Sequence, residues 1–280
     1  MTTMARRVDR ARLVALFATG ALLVGALVVR GRVVIGLLVV AAVFVPMERV
    51  LALRPQRVLR AGWRTDLVHF VVDGALTTIG LVLVVIVVGG LLRALVPDSV
   101  RHAIGAQPAV VQFGLGLVIA EVGGYWGHRA SHRVPCLWRF HRLHHSIEEM
   151  DWLAAARLHP VDQVFTRSCF VVPLFALGFS RATFGAFLVF ATFQALFVHA
   201  NVRVRFGPLR YVVATPQFHH WHHAAEGGAY DSNFAGELPV LDAVFGTLRM
   251  PAHWPERYGI DERAPSGYLH QLAWPFRETS

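Results

Sequence analysis

The sequence contains no lysine, only two cysteines and few charged residues for its length. All 27 basic residues are therefore arginines, and charged residues make up 16% of the 280 positions, against 55% for hydrophobic ones. A typical soluble domain has about 25% charged residues. Cys136 and Cys169 give neither a disulfide framework nor a CxxC metal motif. The composition therefore predicts a chain that is integral to a membrane, and it excludes a small fold held by disulfides.

The arginines give the chain a formal net charge of +9, and they flank its apolar runs. Basic residues in such positions set the orientation of a membrane protein and contact lipid headgroups. We therefore interpret most of them as residues that set the orientation or contact headgroups, place the N-terminal arginines in the cytoplasm, and expect no nucleic-acid partner. The densest group lies in the segment 48–64, as Arg49, Arg54, Arg57, Arg60 and Arg64.

Long apolar runs predict an all-α, integral-membrane helical bundle. The first run is interpreted as a signal anchor, because no small-residue cleavage site precedes the next hydrophobic segment. With the N-terminus in the cytoplasm, about four spans and one shallow hairpin place a histidine-rich helical cap on the cytoplasmic face of a bacterial-type cell membrane. The predicted spans are 13–29, 33–46, 67–96 and 109–125, and the hairpin is 170–198.

Fifteen histidines occur, and most of them fall into three short clusters. Within each cluster the spacing is three or four residues, so the rings share one face of a helix. Each cluster is therefore predicted to aim two or three of its rings at one point. Polar groups at membrane depth are costly and tend to be functional, which favours a metal site over packing. The clusters are HRASH, with His128 and His132; HRLHH, with His141, His144 and His145; and HHWHH, with His219, His222 and His223.

The residues alone leave the metal open. The sequence has neither the HExxH motif of zinc proteases nor the Glu-x-x-His pairs of carboxylate-bridged di-iron bundles. Imidazole suits iron, copper, nickel and zinc. A metal beside acyl chains, without a hydrolase motif, favours oxygen chemistry on C–H bonds. Two alternatives stay open: a membrane metal-binding or transport protein, and a metal-dependent lipid hydrolase.

The order of these motifs resembles the fatty acid hydroxylase/sterol desaturase superfamily of membrane histidine-box oxygenases. The three clusters match its histidine boxes, and further matches are Leu158-His159-Pro160, the stretch 198–201, Thr215-Pro216 and the stretches 231–236 and 241–247. The resemblance covers about 113–247. It implies a di-iron catalytic domain at 108–250, between an N-terminal transmembrane region at 1–107 and a cytoplasmic tail at 251–280.

The resemblance also implies an activity. Members are integral-membrane, O2-dependent di-iron enzymes that hydroxylate or desaturate lipids such as fatty acyl, sterol-like or sphingolipid chains. The expected cofactors are two iron ions with O2 as co-substrate. The expected partners are a membrane lipid and an external electron donor of ferredoxin or cytochrome type with its reductase. Neither the particular lipid nor the choice between hydroxylation and desaturation follows from the sequence.

The resemblance assigns metal ligands residue by residue, and no catalytic residue beyond them is expected. His199 is the ninth ligand, and His159 is a tenth, with helix capping before Pro160 as its alternative. Arg203 stands where some members carry a second histidine. Asp231 and Asn233 are expected to hydrogen-bond ligand rings or else to form a turn, and His220 is expected either to support the ligands or to face solvent. The other eight ligands are His128, His132, His141, His144, His145, His219, His222 and His223.

Overall fold

The computed structural model describes residues 32–277, and this part of the chain contains helices and no strand. The predicted all-α fold is confirmed for these residues. The residues from Phe44 onward form one compact unit, and the site described below lies in it. The α-helices are α1 (Arg32–Val50), α2 (Trp63–Leu95), α3 (Asp98–Gly105), α4 (Ala109–Arg133), α5 (Pro135–His145), α6 (Pro160–Ala176), α7 (Arg181–His199), α8 (Pro216–His222), α9 (Val240–Val244) and α10 (Tyr268–Ala273).

Three described helices, α2, α4 and α7, are long and apolar enough to cross a membrane. The predicted run 67–96 forms most of α2, and the run 109–125 continues to Arg133 and carries the first histidine cluster. The predicted hairpin at 170–198 consists of α6 and α7, with α6 beginning ten residues earlier, at Pro160. The run 13–29, with its signal anchor, lies outside the described residues. The chain is thus a membrane protein, while the count of four spans stays a prediction.

Glycines bring the helices around the histidine clusters into close contact. A Cβ atom built on Gly123 of α4 would lie 2.0 Å from the backbone oxygen of Cys169 in α6, and one on Gly80 of α2 would lie 2.5 Å from Val164 of α6. Small residues at such crossings allow helices to pack closely in a bilayer, where the hydrophobic effect does not drive association. Helix α6 is therefore held between α2 and α4.

Replacing Gly123 by alanine is expected to destabilise the protein, because the backbone at Cys169 must move away. Overpacking of this kind costs about 1–3 kcal/mol. The control is Gly114→Ala in the same helix, where an added Cβ meets nothing within 4 Å and alanine favours the helix by about 1 kcal/mol. Thermal unfolding in detergent should show a lower midpoint for Gly123→Ala only. Equal midpoints would contradict the close helix crossing.

Buried ion pairs join the start of α2 to the loop before α6. Asp66 accepts from Arg60 at 2.6 Å and from Arg157 at 2.6 Å, and Arg60 also donates to Asp151 at 2.8 Å. The guanidinium of Arg60 is therefore part of the protein interior, whereas the sequence interpretation had assigned most arginines to lipid headgroups. Removing one partner of such a pair leaves a buried charge and costs several kcal/mol.

The C-terminal segment packs against α2 through polar contacts. His69 and Asp73 are fully buried and hydrogen-bonded to each other. The hydroxyl of Tyr268 donates to Asp73 at 2.7 Å, and the second ring nitrogen of His69 contacts the side-chain oxygen of Gln271 at 2.8 Å. These contacts fix α10 beside the spanning helix. The predicted region boundaries at 107 and 250 stay predictions.

Candidate metal centre

Four helices bring the histidine clusters together. The last turns of α4 carry the first cluster, α5 carries the second, and α8 carries most of the third, while His199 ends α7. Proline begins both short helices, at Pro135 and Pro216, where its missing N–H costs nothing. The side chain of Thr215 accepts from the backbone N–H of Phe218 and caps α8. Local sequence therefore fixes where each short helix begins.

Nine histidines form two adjacent groups whose ring nitrogens lie within 4.8 Å of one another inside each group. All nine are among the ten ligands expected from the sequence, including His199. We call the groups site 1 and site 2. Site 1 contains His128, His132, His141, His145 and His222, and site 2 contains His144, His199, His219 and His223.

In each cluster two histidines aim at one point, and the third histidine of the second and of the third cluster belongs to the other group. Neighbouring histidines of α5 separate, since His145 joins His141 in site 1 while His144 enters site 2. In the third cluster, His222 joins site 1 and His223 enters site 2. Residues four apart stay nearly aligned at about 100° per residue, whereas the intermediate position turns away. The short helices α5 and α8 thus each supply both sites.

The arrangement of nitrogens fits two metal ions. In site 1 the Nε2 atoms of His128 and His141 are 3.2 Å apart, and in site 2 the Nε2 atom of His199 is 3.1 Å from that of His144 and 3.1 Å from that of His219. Among the described residues, the buried Nε2 atoms of His132 and His222 have no hydrogen-bond partner. Buried polar atoms are normally paired, so converging and unpaired nitrogens indicate a cation between them. The all-imidazole donor set suits iron, among other transition metals.

Most rings are oriented by a hydrogen bond at the other nitrogen. The Nδ1 atoms of His128 and His222 lie 2.8 Å from the carbonyl oxygens of Phe234 and Ser232, and the Nδ1 atom of His199 lies 2.7 Å from its own helix backbone. An Nδ1–H donated in this way leaves Nε2 free to bind metal. The loop 232–234 therefore supports two ligands of site 1 through its backbone, which no side-chain motif reveals.

Within residues 32–277, Asp162 is the one carboxylate that hydrogen-bonds a grouped histidine. It accepts from Nδ1 of His141 at 2.9 Å. It lies in the first turn of α6, is buried, and also accepts from Ser131. A carboxylate in this position fixes the tautomer and makes the imidazole a stronger ligand. Sequence reasoning missed Asp162, because nothing in its local sequence marks it as a partner of His141.

Replacing Asp162 by asparagine is expected to weaken iron binding at site 1 by roughly 10–100-fold, since the amide keeps the shape and loses the charge. Asp261→Asn, at an exposed position, is the control. Iron retained per chain after dialysis against increasing chelator measures the difference. Identical retention in both variants would show that the carboxylate does not support the metal.

Burial keeps five imidazoles at the ends of α5 and α8 neutral. Metal ions bind the neutral ring, so these residues need not lose a proton to become ligands. Desolvation, helped by the neighbouring imidazoles, lowers the pKa of five rings well below their ordinary value: His144, His145, His219, His222 and His223.

Two further predicted histidines lie outside both sites. His159 uses both nitrogens, since Nδ1 accepts from the backbone of Val161 at 3.2 Å and Nε2 donates to the carbonyl of Leu272 at 3.1 Å. This geometry does not support His159 as a tenth ligand, and it fits the helix-cap alternative. His220 is fully buried between the hydroxyl of Tyr258 and the carbonyl of Ala200, so it does not face solvent.

Asp231 and Asn233 both adopt positive φ, at 61° and 59°. A carboxylate oxygen of Asp231 lies 3.7 Å from Nδ1 of His132, which is an ionic contact longer than a hydrogen bond. Asn233 donates to the carbonyls of Phe218 and Arg249 and contacts no ligand ring. Its role is the turn that was the alternative interpretation, and that turn places the neighbouring carbonyls against the ligands.

Two buried carboxylates hold this turn in place. Asp242 accepts from the backbone N–H groups of Phe234 and Ala235 at 2.8 and 2.9 Å. Glu121 of α4 accepts from those of Glu237 and Leu238 at 3.2 Å. The carbonyls that orient His128 and His222 therefore depend on acidic residues that sequence reasoning did not select.

An apolar cavity of about 620 Å³ leads to the histidines between α2, α4, α6 and α7. This volume is in the range of small-molecule and lipid sites, about 300–1,000 Å³. Four histidines line its inner end. Aromatic and aliphatic side chains line most of the remainder, among them Ile86, Phe170, Phe175, Phe184 and Leu188. The inner end contains His128, His141, His144 and His199.

Comparison with known families identifies the region that carries this site. The model of the fatty acid hydroxylase family matches residues 113–247, which include all nine grouped histidines. The matched residues make up just under half of the chain. The resemblance stated from the histidine boxes is thereby confirmed.

Curated proteins similar to this region carry names that state what each of them acts on. Ornithine lipid hydroxylase OlsE of Rhizobium tropici is 36% identical over 170 residues, which are 60% of this chain and 51% of that protein. Human alkylglycerol monooxygenase is 35% identical over 128 residues, 46% of this chain and 28% of its own length. Very-long-chain aldehyde decarbonylase GL1-5 of Oryza sativa subsp. indica is 28% identical over 136 residues, which are 44% of this chain and 21% of that protein. The chain thus spans about half or less of these relatives, and no solved structure matches.

The matched region contains all nine grouped histidines but not the whole cavity wall. Asp162 and Asp242 lie inside the matched region, whereas the cavity residues Thr78, Val85 and Ile86 belong to α2, which precedes it. Part of the cavity wall therefore comes from the N-terminal region.

Proposed function

We propose that this chain is a membrane-bound, O2-dependent di-iron oxygenase that hydroxylates a lipid. The observation that carries the proposal is that nine histidines form two adjacent sites at the inner end of an apolar cavity between membrane helices. The printed names of the relatives, a lipid hydroxylase and a monooxygenase, favour hydroxylation over desaturation.

The residues of the chain would divide the work of such a reaction. The imidazoles of sites 1 and 2 would hold the irons, and Asp162 with the carbonyls of Ser232 and Phe234 would keep the rings in the binding tautomer. The cavity would bind the lipid chain and exclude water from the reacting end. Bound iron supplies the oxidation of an unactivated C–H bond by O2, which no side chain here performs alone.

The finer parts of the proposal concern sidedness and partners. We place the sites on the cytoplasmic side, because the arginine-rich segment 48–64 adjoins them. Arg60 of this segment shares Asp66 with Arg157, whose carbonyl oxygen contacts the ring of His144. The two electrons that the reaction consumes would come from a separate ferredoxin- or cytochrome-type donor. The substrate would be drawn from the surrounding bilayer through the cavity.

The test combines metal analysis with lipid analysis. The purified chain should contain iron and consume O2 when reductant is supplied. A host expressing it should accumulate one lipid class heavier by one oxygen atom, relative to the host without it. Loss of two hydrogens would indicate desaturation, lipid cleavage would indicate a hydrolase, and metal movement without lipid change would indicate a transporter. Each of these three outcomes would overturn the proposed hydroxylase.

A further inference from the structure

Four charged side chains line the apolar cavity, and three of them have partners inside the protein. Asp162 accepts from His141, and Glu121 accepts from the backbone at Glu237 and Leu238. The carboxyl of Glu237 is hydrogen-bonded to that of Glu121, and burial together with this neighbour raises the pKa of Glu237 well above its ordinary range. Glu237 therefore has a partner inside the protein.

Arg167 is the fourth charged side chain of the cavity wall. It lies on α6, lines the cavity, and makes no hydrogen bond or ion pair with any residue of the described part 32–277. Every other charged group on this wall has a partner within the described residues, and a guanidinium that faces an apolar cavity without a partner is costly. Arginine also presents paired N–H groups that match a carboxylate or a phosphate. The missing partner therefore has the chemistry of an anion.

We propose that Arg167 binds an anionic group, a carboxylate or a phosphate, on the lipid that occupies the cavity. This inference rests on the proposed lipid oxygenase and makes Arg167 a determinant of its substrate class. A neutral lipid of the same length would leave the guanidinium unpaired in an apolar wall. The cavity therefore selects for acidic lipids over alcohols, esters and hydrocarbons.

The position of Arg167 also indicates where the lipid is oxidised. Asp162, which contacts His141 of site 1, precedes Arg167 by five residues on α6, or about 7.5 Å along the helix axis. Phe175, on the far part of the cavity wall, follows Arg167 by eight residues, about 12 Å further. The anionic group thus lies nearer the metal end of the cavity, so the oxidised carbon belongs to the polar end of the lipid.

Binding to the metal-free protein tests the selectivity directly. The probes are a long-chain carboxylate, an alkyl phosphate and a primary alcohol of equal chain length, titrated calorimetrically in a non-ionic detergent. The wild-type protein should bind at least one anionic probe about tenfold or more tightly than the alcohol, as expected for a charge-assisted pair. Which anion binds more tightly identifies carboxylate or phosphate as the preferred group.

Variants assign the preference to one side chain. Arg167→Gln should abolish the preference and leave alcohol binding unchanged, which also shows that the cavity has folded. Arg167→Lys should retain part of it. Arg181→Gln is the matched control, because Arg181 is exposed and does not line the cavity. A wild-type protein without preference, or a preference that survives in Arg167→Gln, would overturn the proposal.

The binding test is independent of turnover. If the anion preference depends on Arg167 while the iron-loaded protein oxidises no lipid, then the proposed function fails and the anion site stands. If lipid is oxidised but the metal-free protein shows no preference, then the inference about Arg167 fails alone. In an active enzyme, tandem mass spectrometry should place the new hydroxyl on a carbon near the anionic group, and a hydroxyl deep in the chain would contradict the orientation.

Discussion

Replacing His145 by alanine is expected to remove metal from site 1 and leave metal in site 2, and His144→Ala is expected to do the reverse. The two residues are neighbours in the chain, yet each contributes to a different group. Losing an imidazole removes a direct ligand, so the effect should exceed the roughly 10–100-fold loss typical of residues that only support a ligand. Lipid oxidation should be abolished in both variants, because the proposed reaction uses both irons.

Iron per chain and the Mössbauer spectrum of the iron-loaded variants measure this difference. Each variant should retain about half of the wild-type iron, with the signal of a mononuclear rather than a coupled centre. The control His102→Ala changes an exposed histidine outside both sites and should keep full iron content and activity. Loss of all iron from both variants, with the fold intact, would mean that the groups do not bind metal separately.

Eight of the nine grouped histidines could be selected from the sequence because their spacing is local, since histidines three and four residues apart share a helix face. His199 stands outside the clusters and was selected only through the resemblance to the family. The assignment of His144 and His145 to different sites could not be predicted in this way. It depends on where α4, α7 and α8 lie around α5, which the spacing inside one cluster does not contain.

The supporting carboxylates were missed for a related reason. Asp162 precedes no recognisable pattern, and its partner His141 is 21 residues earlier in the chain. Glu121 is an acidic residue within an apolar span, and its function appears only when the loop at Glu237 folds against α4. The alternative meanings of His159 and Asn233 were available from the sequence, since histidine before proline and asparagine in a loop are common caps and turns. Only the geometry could choose between them.

A large pH effect on stability is expected from Glu48, which follows the apolar run 33–46. Burial raises the pKa of Glu48 from 4.5 to about 7, although its carboxylate accepts the backbone N–H groups of Trp152 and Asn201 at 2.8 and 2.9 Å. An acid whose pKa is higher in the folded state stabilises the fold only while it is protonated. Its contribution is complete below pH 4.5 and is lost as the pH rises through 7, where the cost reaches about 3 kcal/mol.

Replacing Glu48 by glutamine is therefore expected to stabilise the metal-free protein at pH 8 by up to about 3 kcal/mol and to change little at pH 4.5. The amide keeps one oxygen as acceptor for the two backbone N–H groups and carries no charge to desolvate. The free energy of unfolding in detergent, measured from pH 4.5 to 8.5, should fall with rising pH less steeply in the variant than in the wild type. Glu149→Gln, which changes an exposed glutamate on the neighbouring loop, should leave the wild-type slope unchanged. A Glu48→Gln protein that is less stable than the wild type at pH 8 would show that the buried carboxylate is ionised and contributes favourably there.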